Sequence, residues 1–128
     1  MLSPMYSVYA ARLGDRKLAL DMLEKGYAAF IQQPFNSPGE TPVGQPPIAG
    51  PFFANLGGFL MSLLLGLPRL CLGAGDPQSW RERSVTLPEG WDAIEVERLW
   101  MHGKPASLIA RHGAERAIIK LAEDESGG

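Results

Sequence analysis

The chain predicts an α+β fold, with helices first and antiparallel strands after. Apolar residues recur at helical spacing through the first third, and a Leu-rich run, Phe59 to Leu67, follows a proline-rich loop. From Arg69 onward short apolar segments alternate with turn residues, as in a β meander.

Ser3-Pro4 reads as an N-cap followed by proline at the first helical position. The helix extends to about Leu13, with Met5, Val8, Tyr9 and Arg12 on one face. Gly14 ends it and Asp15 caps the next. The second helix covers Arg16 to Gln33, with a buried stripe of Leu20, Leu23, Tyr27, Phe30 and Ile31. Lys17, Asp21, Glu24 and Lys25 form a solvated face, and Asp21 and Lys25 make a favourable i,i+4 pair. Two helices around a Gly-Asp turn make an αα-hairpin.

Pro34 to Pro51 contains six prolines and three glycines, with Phe35, Val43 and Ile48 as apolar anchors and Glu40 as its one charge. A disordered linker carries more charge and fewer anchors, so this segment reads as an ordered loop over a cavity. Asn55 then caps a third helix, from about Leu56 to Leu67. Leu60, Leu63, Leu64 and Leu67 mark one face, and Phe59, Met61 and Leu65 leave no polar side. A helix that is apolar all round is a buried one. So short a chain has little material to cover it, and the expectation is a partner: the rest of a larger chain, or self-association. Adjacent Gly57 and Gly58 cost roughly 1 kcal/mol each against alanine in a helix. Such a pair implies close backbone approach to another helix or to a ligand.

Beyond Gly66 and Pro68, Arg69 to Leu72 and Ser84 to Leu87 read as short extended segments. Pro88-Glu89-Gly90 is a turn, and Ala93 to His102 alternates with Ile94, Val96, Arg98 and Trp100 on one side. After a Gly103-Lys104-Pro105 turn come strands at Ala106–Arg111 and Arg116–Leu121, then a polar tail. Trp80, Trp91 and Trp100 read as packing of the small β-domain rather than as a sugar-stacking set.

A formal net charge of −2 gives no case for nucleic acid or an anionic membrane as partner. Phe59 to Leu67 is too short to span a bilayer, which takes about 20 residues, and the N-terminus lacks the pattern of a secretory signal. The expected location is cytoplasmic. Cys71 is the one cysteine, read as a small apolar residue; no cofactor fingerprint and no metal-ligand spacing occurs, and His102 and His112 read as solvated turn residues. Glu40 is the acid to weigh: either a solvated loop glutamate or a general base that activates water. Sugar hydrolysis typically sets two carboxylates about 6.5–9.5 Å apart in inverting enzymes, of which Glu40 could supply only one.

The order of helical hairpin, Phe-containing loop with an acid, Phe52-x-x-x-Leu56-Gly57-Gly58-Phe59-Leu60 helix and β-domain resembles the C-terminal end of a glycoside hydrolase family 65 protein. The likeness covers about Ala10 to Leu121 and is best at Phe52 to Gly66 and at Leu87-Pro88-Glu89-Gly90-Trp91, which is similar to that family's Leu-Pro-x-x-Trp turn. The family includes acid trehalase, the glucosyl-galactosyl-hydroxylysine glucosidase, and the maltose and kojibiose phosphorylases. The resemblance implies the terminal helices of an (α/α)6 toroid in residues 1–69, with an active-site loop at 34–54, and a small β-sandwich-like domain in residues 70–128. It implies an α-glucoside substrate, Glu40 as catalytic base, and substrate contacts at Phe52, Asn55, Gly57 and Gly58. Phe52 stands where the phosphorylases carry a phosphate-binding histidine, which favours the hydrolase branch. Pro38-Gly39 stands where the family has an aromatic residue before the base. The family's general acid lies on an earlier helix pair, so these 128 residues alone should be inactive.

A second reading starts from Ala11-Arg12-Leu13-Gly14-Asp15 followed by Ala19 and Tyr27, which resembles a tetratricopeptide-type hairpin. It implies a non-catalytic protein-interaction module, although such arrays take roughly three repeats and one is present.

Overall fold

The computed structural model describes residues 3–45 and 51–122. Helices α1 (Ser3–Arg12) and α2 (Arg16–Tyr27) precede a short hairpin, β1 (Ile31–Gln32) with β2 (Ser37–Pro38); α3 (Phe53–Met61) follows. Strands β3 (Ala93–Met101), β4 (Lys104–Arg111) and β5 (Ile118–Leu121) form an antiparallel sheet in sequence order. The chain is therefore α+β, as its patterning implies.

The turn between α1 and α2 forms as the sequence dictates. Gly14 takes φ +82, and the Asp15 carboxylate accepts from the Leu18 backbone N–H at 2.9 Å. Lys25 donates to Asp21 at 2.8 Å on the exposed side of α2. The packing face of α1 differs from the expected one. Tyr9 and Arg12 are exposed, and the buried residues are Pro4, Ser7, Val8, Ala10 and Ala11. Small side chains let neighbouring helices come close, so α1 is seated by shape rather than by bulk. The Ser7 hydroxyl donates to the Ala19 carbonyl at 2.7 Å, and the Ser62 hydroxyl donates to the Pro4 carbonyl at 2.7 Å.

Helix α2 stops six residues before Gln33. A single 3-10 turn, Ala28–Phe30, leads into β1, because the residue before Pro34 is steered out of the helical region. In the loop, Phe35 is 87% exposed and Val43 61%, so neither is the anchor expected; the third, Ile48, lies outside the described residues. Backbone hydrogen bonds from Gly39, Val43 and Gln45 hold the described part of the loop instead.

Helix α3 starts three residues earlier than its glycines suggest, and Asn55 is inside it rather than at its cap. Its N-cap is Phe52, which offers no side-chain bond. After Met61 the rod continues through a π turn, Ser62–Gly66. The helix is not covered all round: Phe53 is 74% exposed, and Leu60 and Met61 are exposed beside it. Its buried side meets α1 through Gly58, Ser62 and Gly66, and meets α2 where Phe59 stacks on Tyr27 at 4.0 Å between ring centroids.

In the second half, residues 69–72 and 84–87 form no strand. Val85 donates to the Ala114 carbonyl and Thr86 to the Leu67 carbonyl, so consecutive residues bond to different elements and no ladder forms. The hairpin between β3 and β4 turns on His102 (φ +51) and Gly103 (φ +75), one position earlier than expected, in the two-residue form whose twist matches the strands. The alternation of β3 fails partway. A bulge between Val96 and Leu99, with Arg98 at φ +57, reverses the facing of the strand's end. Leu99 and Met101 turn inward, and Trp100 is 71% exposed instead of sharing the Ile94–Val96 side. Strand β5 starts at Ile118, two residues later than expected.

The sheet packs one face on Leu67, Leu70, Trp80, Val85 and Leu87, and Ala10, Ala11 and Ala19 of the helices join the same cluster of buried residues. No second sheet faces it among the described residues.

Candidate functional site

The candidate site is the N-terminal end of α3 and the loop against it. Glu40 lies two residues past β2, half-buried, in a bend. Hydrogen bonds fix the backbone on both sides of it. Gly39 donates to the Phe30 carbonyl at 2.7 Å, and Val43 donates to the Ala29 carbonyl at 2.9 Å. The Gln32 side-chain amide donates to the Thr41 carbonyl at 2.8 Å. The loop is tied to α3 by the Phe52 N–H, which donates to the Pro38 carbonyl at 2.6 Å. The Glu40 carboxylate itself has no hydrogen-bond or ion-pair partner among the described residues.

Gly39 is required by this geometry. A Cβ there would stand 2.8 Å from Gln32 Cγ and 3.1 Å from its Nε2, so any side chain displaces the residue that holds Thr41. The proline-rich composition of the loop gave no sign of this contact.

The structure brings Phe52 beside the loop through its backbone, with its ring half-buried. Asn55 is 1% exposed, and neither its amide nitrogen nor its oxygen has a partner among the described residues. A buried amide left unpaired costs about 1–3 kcal/mol, so nearly all such groups in folded chains are paired. The two glycines separate in role. A Cβ on Gly58 would lie 3.0 Å from Pro4 Cβ, so Gly58 is a point of contact between helices. A Cβ on Gly57 would meet nothing within 4 Å. Sequence reasoning missed the tightest approach in the rod, Gly66, where a Cβ would lie 3.0 Å from Val8 Cα. Its place before Leu67-Pro68 made it read as a helix stop.

Among the described residues no group of three or more His, Cys, Asp or Glu side chains is arranged to hold a metal ion. His102 faces the Gly75 carbonyl at 3.2 Å and packs on Trp80; His112 lies 3.9 Å from Glu89. No helix among the described residues is long and apolar enough to cross a membrane.

No protein-family model matches this chain, and comparison with curated proteins and with solved structures gives no match.

Proposed function

We propose that this chain is the C-terminal segment of an inverting glycoside hydrolase of the family 65 type, acting on an α-glucoside in the cytoplasm. In this reading Glu40 is the general base. It accepts a proton from the water that attacks the anomeric carbon, while a carboxylic acid on an earlier helix pair protonates the leaving oxygen. The observation that carries the reading is the Glu40 loop: its backbone is held at Gly39, Thr41 and Val43 while its carboxylate is unengaged. Asn55 carries an amide with no partner among the described residues, and Gly57 leaves open space in the same first turns of α3. Gly58 packs on Pro4 and is withdrawn from the set of substrate contacts.

The exposed apolar side chains of the helices support the toroid assignment. Tyr6, Tyr9 and Leu13 form a stripe on α1, and Phe53, Leu60 and Met61 line the outer side of α3. In an (α/α)6 toroid these faces are covered by the preceding helix pairs. The alternative, a non-catalytic interaction module, uses the same α1 stripe to dock another protein but gives no role to an unengaged Glu40 or an unpaired Asn55.

The test is hydrolysis of α-glucosides by a polypeptide in which this chain follows its toroid helices. Inversion should release the β-anomer first, seen by proton NMR. Glu40→Gln should lower kcat by about a hundredfold or more, in line with the loss of a general base. Glu40→Ala should be partly rescued by azide, with a glucosyl azide of inverted configuration as product. Undiminished turnover by Glu40→Gln would remove Glu40 as the base, and turnover by the isolated 128 residues would overturn the expectation that the acid lies elsewhere.

A further inference from the structure

The other end of the α3 rod carries a different feature. Where the C-terminal end of α1 meets the segment after the π turn, a cleft of about 430 Å³ is lined by Arg12, Arg69, Leu70, Cys71, Leu72 and Arg83. A neighbouring opening of about 420 Å³ shares Arg69 and Arg83 and adds Arg116, Ser84, Glu82 and Glu115. Four guanidiniums against two carboxylates leave a local charge of plus two, in a chain whose formal net charge is −2. None of the four arginines forms an ion pair among the described residues, although Arg111, Lys25 and His112 elsewhere do or come close to doing so. Four guanidiniums outnumber the two carboxylates beside them, and an anion placed among them offsets the remaining repulsion.

Arg69 is held in place before any ligand arrives. Its backbone sits at φ +56, directly after buried Leu67 and Pro68, and its terminal nitrogen donates to the Arg12 carbonyl at 2.8 Å. Its Nε is buried and has no acceptor among the described residues. A guanidinium fixed this way loses little freedom on binding, and its planar fork matches the oxygens of phosphate. The walls are not uniformly polar, because Leu70 and Leu72 line the cleft beside the arginines.

We propose that this cleft binds a small phosphate monoester, its dianionic group held by Arg12, Arg69 and Arg83 and its organic part lying along the exposed Leu72. A phosphate monoester carries a charge of about −1.5 to −2 near neutral pH, which matches the local excess. The site is independent of the Glu40 reading. The two are separated by the rod from Phe53 to Gly66, about 20 Å at helical rise.

The experiment is calorimetric titration of the chain with phenyl phosphate, with inorganic phosphate and phenol at matched ionic strength as comparisons. Saturable one-site binding of phenyl phosphate is expected, weaker binding of inorganic phosphate, and none of phenol. Arg83→Gln and Arg12→Gln, both at exposed positions, should each weaken binding about tenfold or more by removing a charge-assisted bond. Glu115→Gln should not weaken it. Cys71 gives a second readout, since bound phenyl phosphate should slow its alkylation by a neutral maleimide in the unsubstituted chain. Absence of saturable heat, affinity unchanged in both arginine variants, or inorganic phosphate binding as tightly as the ester would each overturn the proposal.

Discussion

Three alanine substitutions along one rod should move stability in different directions, because the glycines at positions 57, 58 and 66 face different surroundings. None of the three has a positive φ, so alanine is compatible with the backbone at each. At Gly57 the new methyl meets nothing within 4 Å, and only the helix preference remains. That gain is about 0.5–1 kcal/mol. At Gly66 the methyl would stand 3.0 Å from Val8 Cα and 3.2 Å from its Cγ2, and a backbone carbon cannot move aside without moving α1. Overpacking of this kind costs about 1–3 kcal/mol. At Gly58 the obstacle is Pro4 Cβ at 3.0 Å, near the start of α1, where a shift of a few tenths of an ångström offsets most of the helix gain. For a chain of this size one kcal/mol moves the melting temperature by about 3–5 °C. Gly57→Ala should therefore melt about 2–5 °C higher and Gly66→Ala about 3–15 °C lower, with Gly58→Ala close to the unsubstituted chain. Thermal unfolding followed by circular dichroism at 222 nm, with urea midpoints as a check, reads all three. A Gly66→Ala chain as stable as the parent would refute the packing argument, and a destabilised Gly57→Ala chain would mean that its surroundings are not open.

Asn55→Leu replaces a buried, unpartnered amide by an apolar group of similar shape, so the isolated chain should gain about 1–3 kcal/mol; urea unfolding checks this, and the same change should raise KM in the complete enzyme if the amide holds a sugar hydroxyl. Gly39→Ala should push Gln32 off the Thr41 carbonyl, cost about 1–3 kcal/mol, and speed amide hydrogen exchange across residues 39–43. Exchange there as slow as in the parent would show that the hairpin tolerates the methyl.

Local chemistry was legible from the chain, and long-range contact was not. The Gly14-Asp15 turn, the Asp21–Lys25 pair and the order of helices and strands all follow from neighbours a few residues apart. The errors arise where a distant residue decides. Asn55 looked like a cap because asparagine before an apolar run usually is one, but the chain turns helical at Phe53, tied by Phe52 to Pro38. Tyr9 and Arg12 fell on a plausible helical face with Val8, but distant residues decide the seating of α1: Gly58 meets Pro4, Gly66 meets Val8, and Ser7 bonds to the Ala19 carbonyl. A single bulge at Arg98 was enough to turn Trp100 outward. The arginine cleft draws on residues 12, 69, 83 and 116, too far apart in sequence for any motif to register.

The rod from Phe53 to Gly66 divides stability from the proposed chemistry. Its C-terminal half is over-determined: Ser62 donates to both Pro4 and Gly58 carbonyls, Gly66 touches Val8, and Leu67 and Leu70 are fully enclosed. Its N-terminal end is under-determined: an unpaired amide at Asn55, open space at Gly57, a bare Phe53, and the unengaged Glu40 alongside. An unmet polar group is destabilising in a chain that does nothing with it, and the proposed function gives the one at Asn55 a use. Substitutions in the second half should then lower the melting temperature and leave substrate parameters alone, while those in the first turns, Asn55→Leu and Gly57→Ala, should raise it and alter substrate parameters. A single set of variants measured both ways would separate the two halves, and equal effects on both quantities along the whole rod would deny the division.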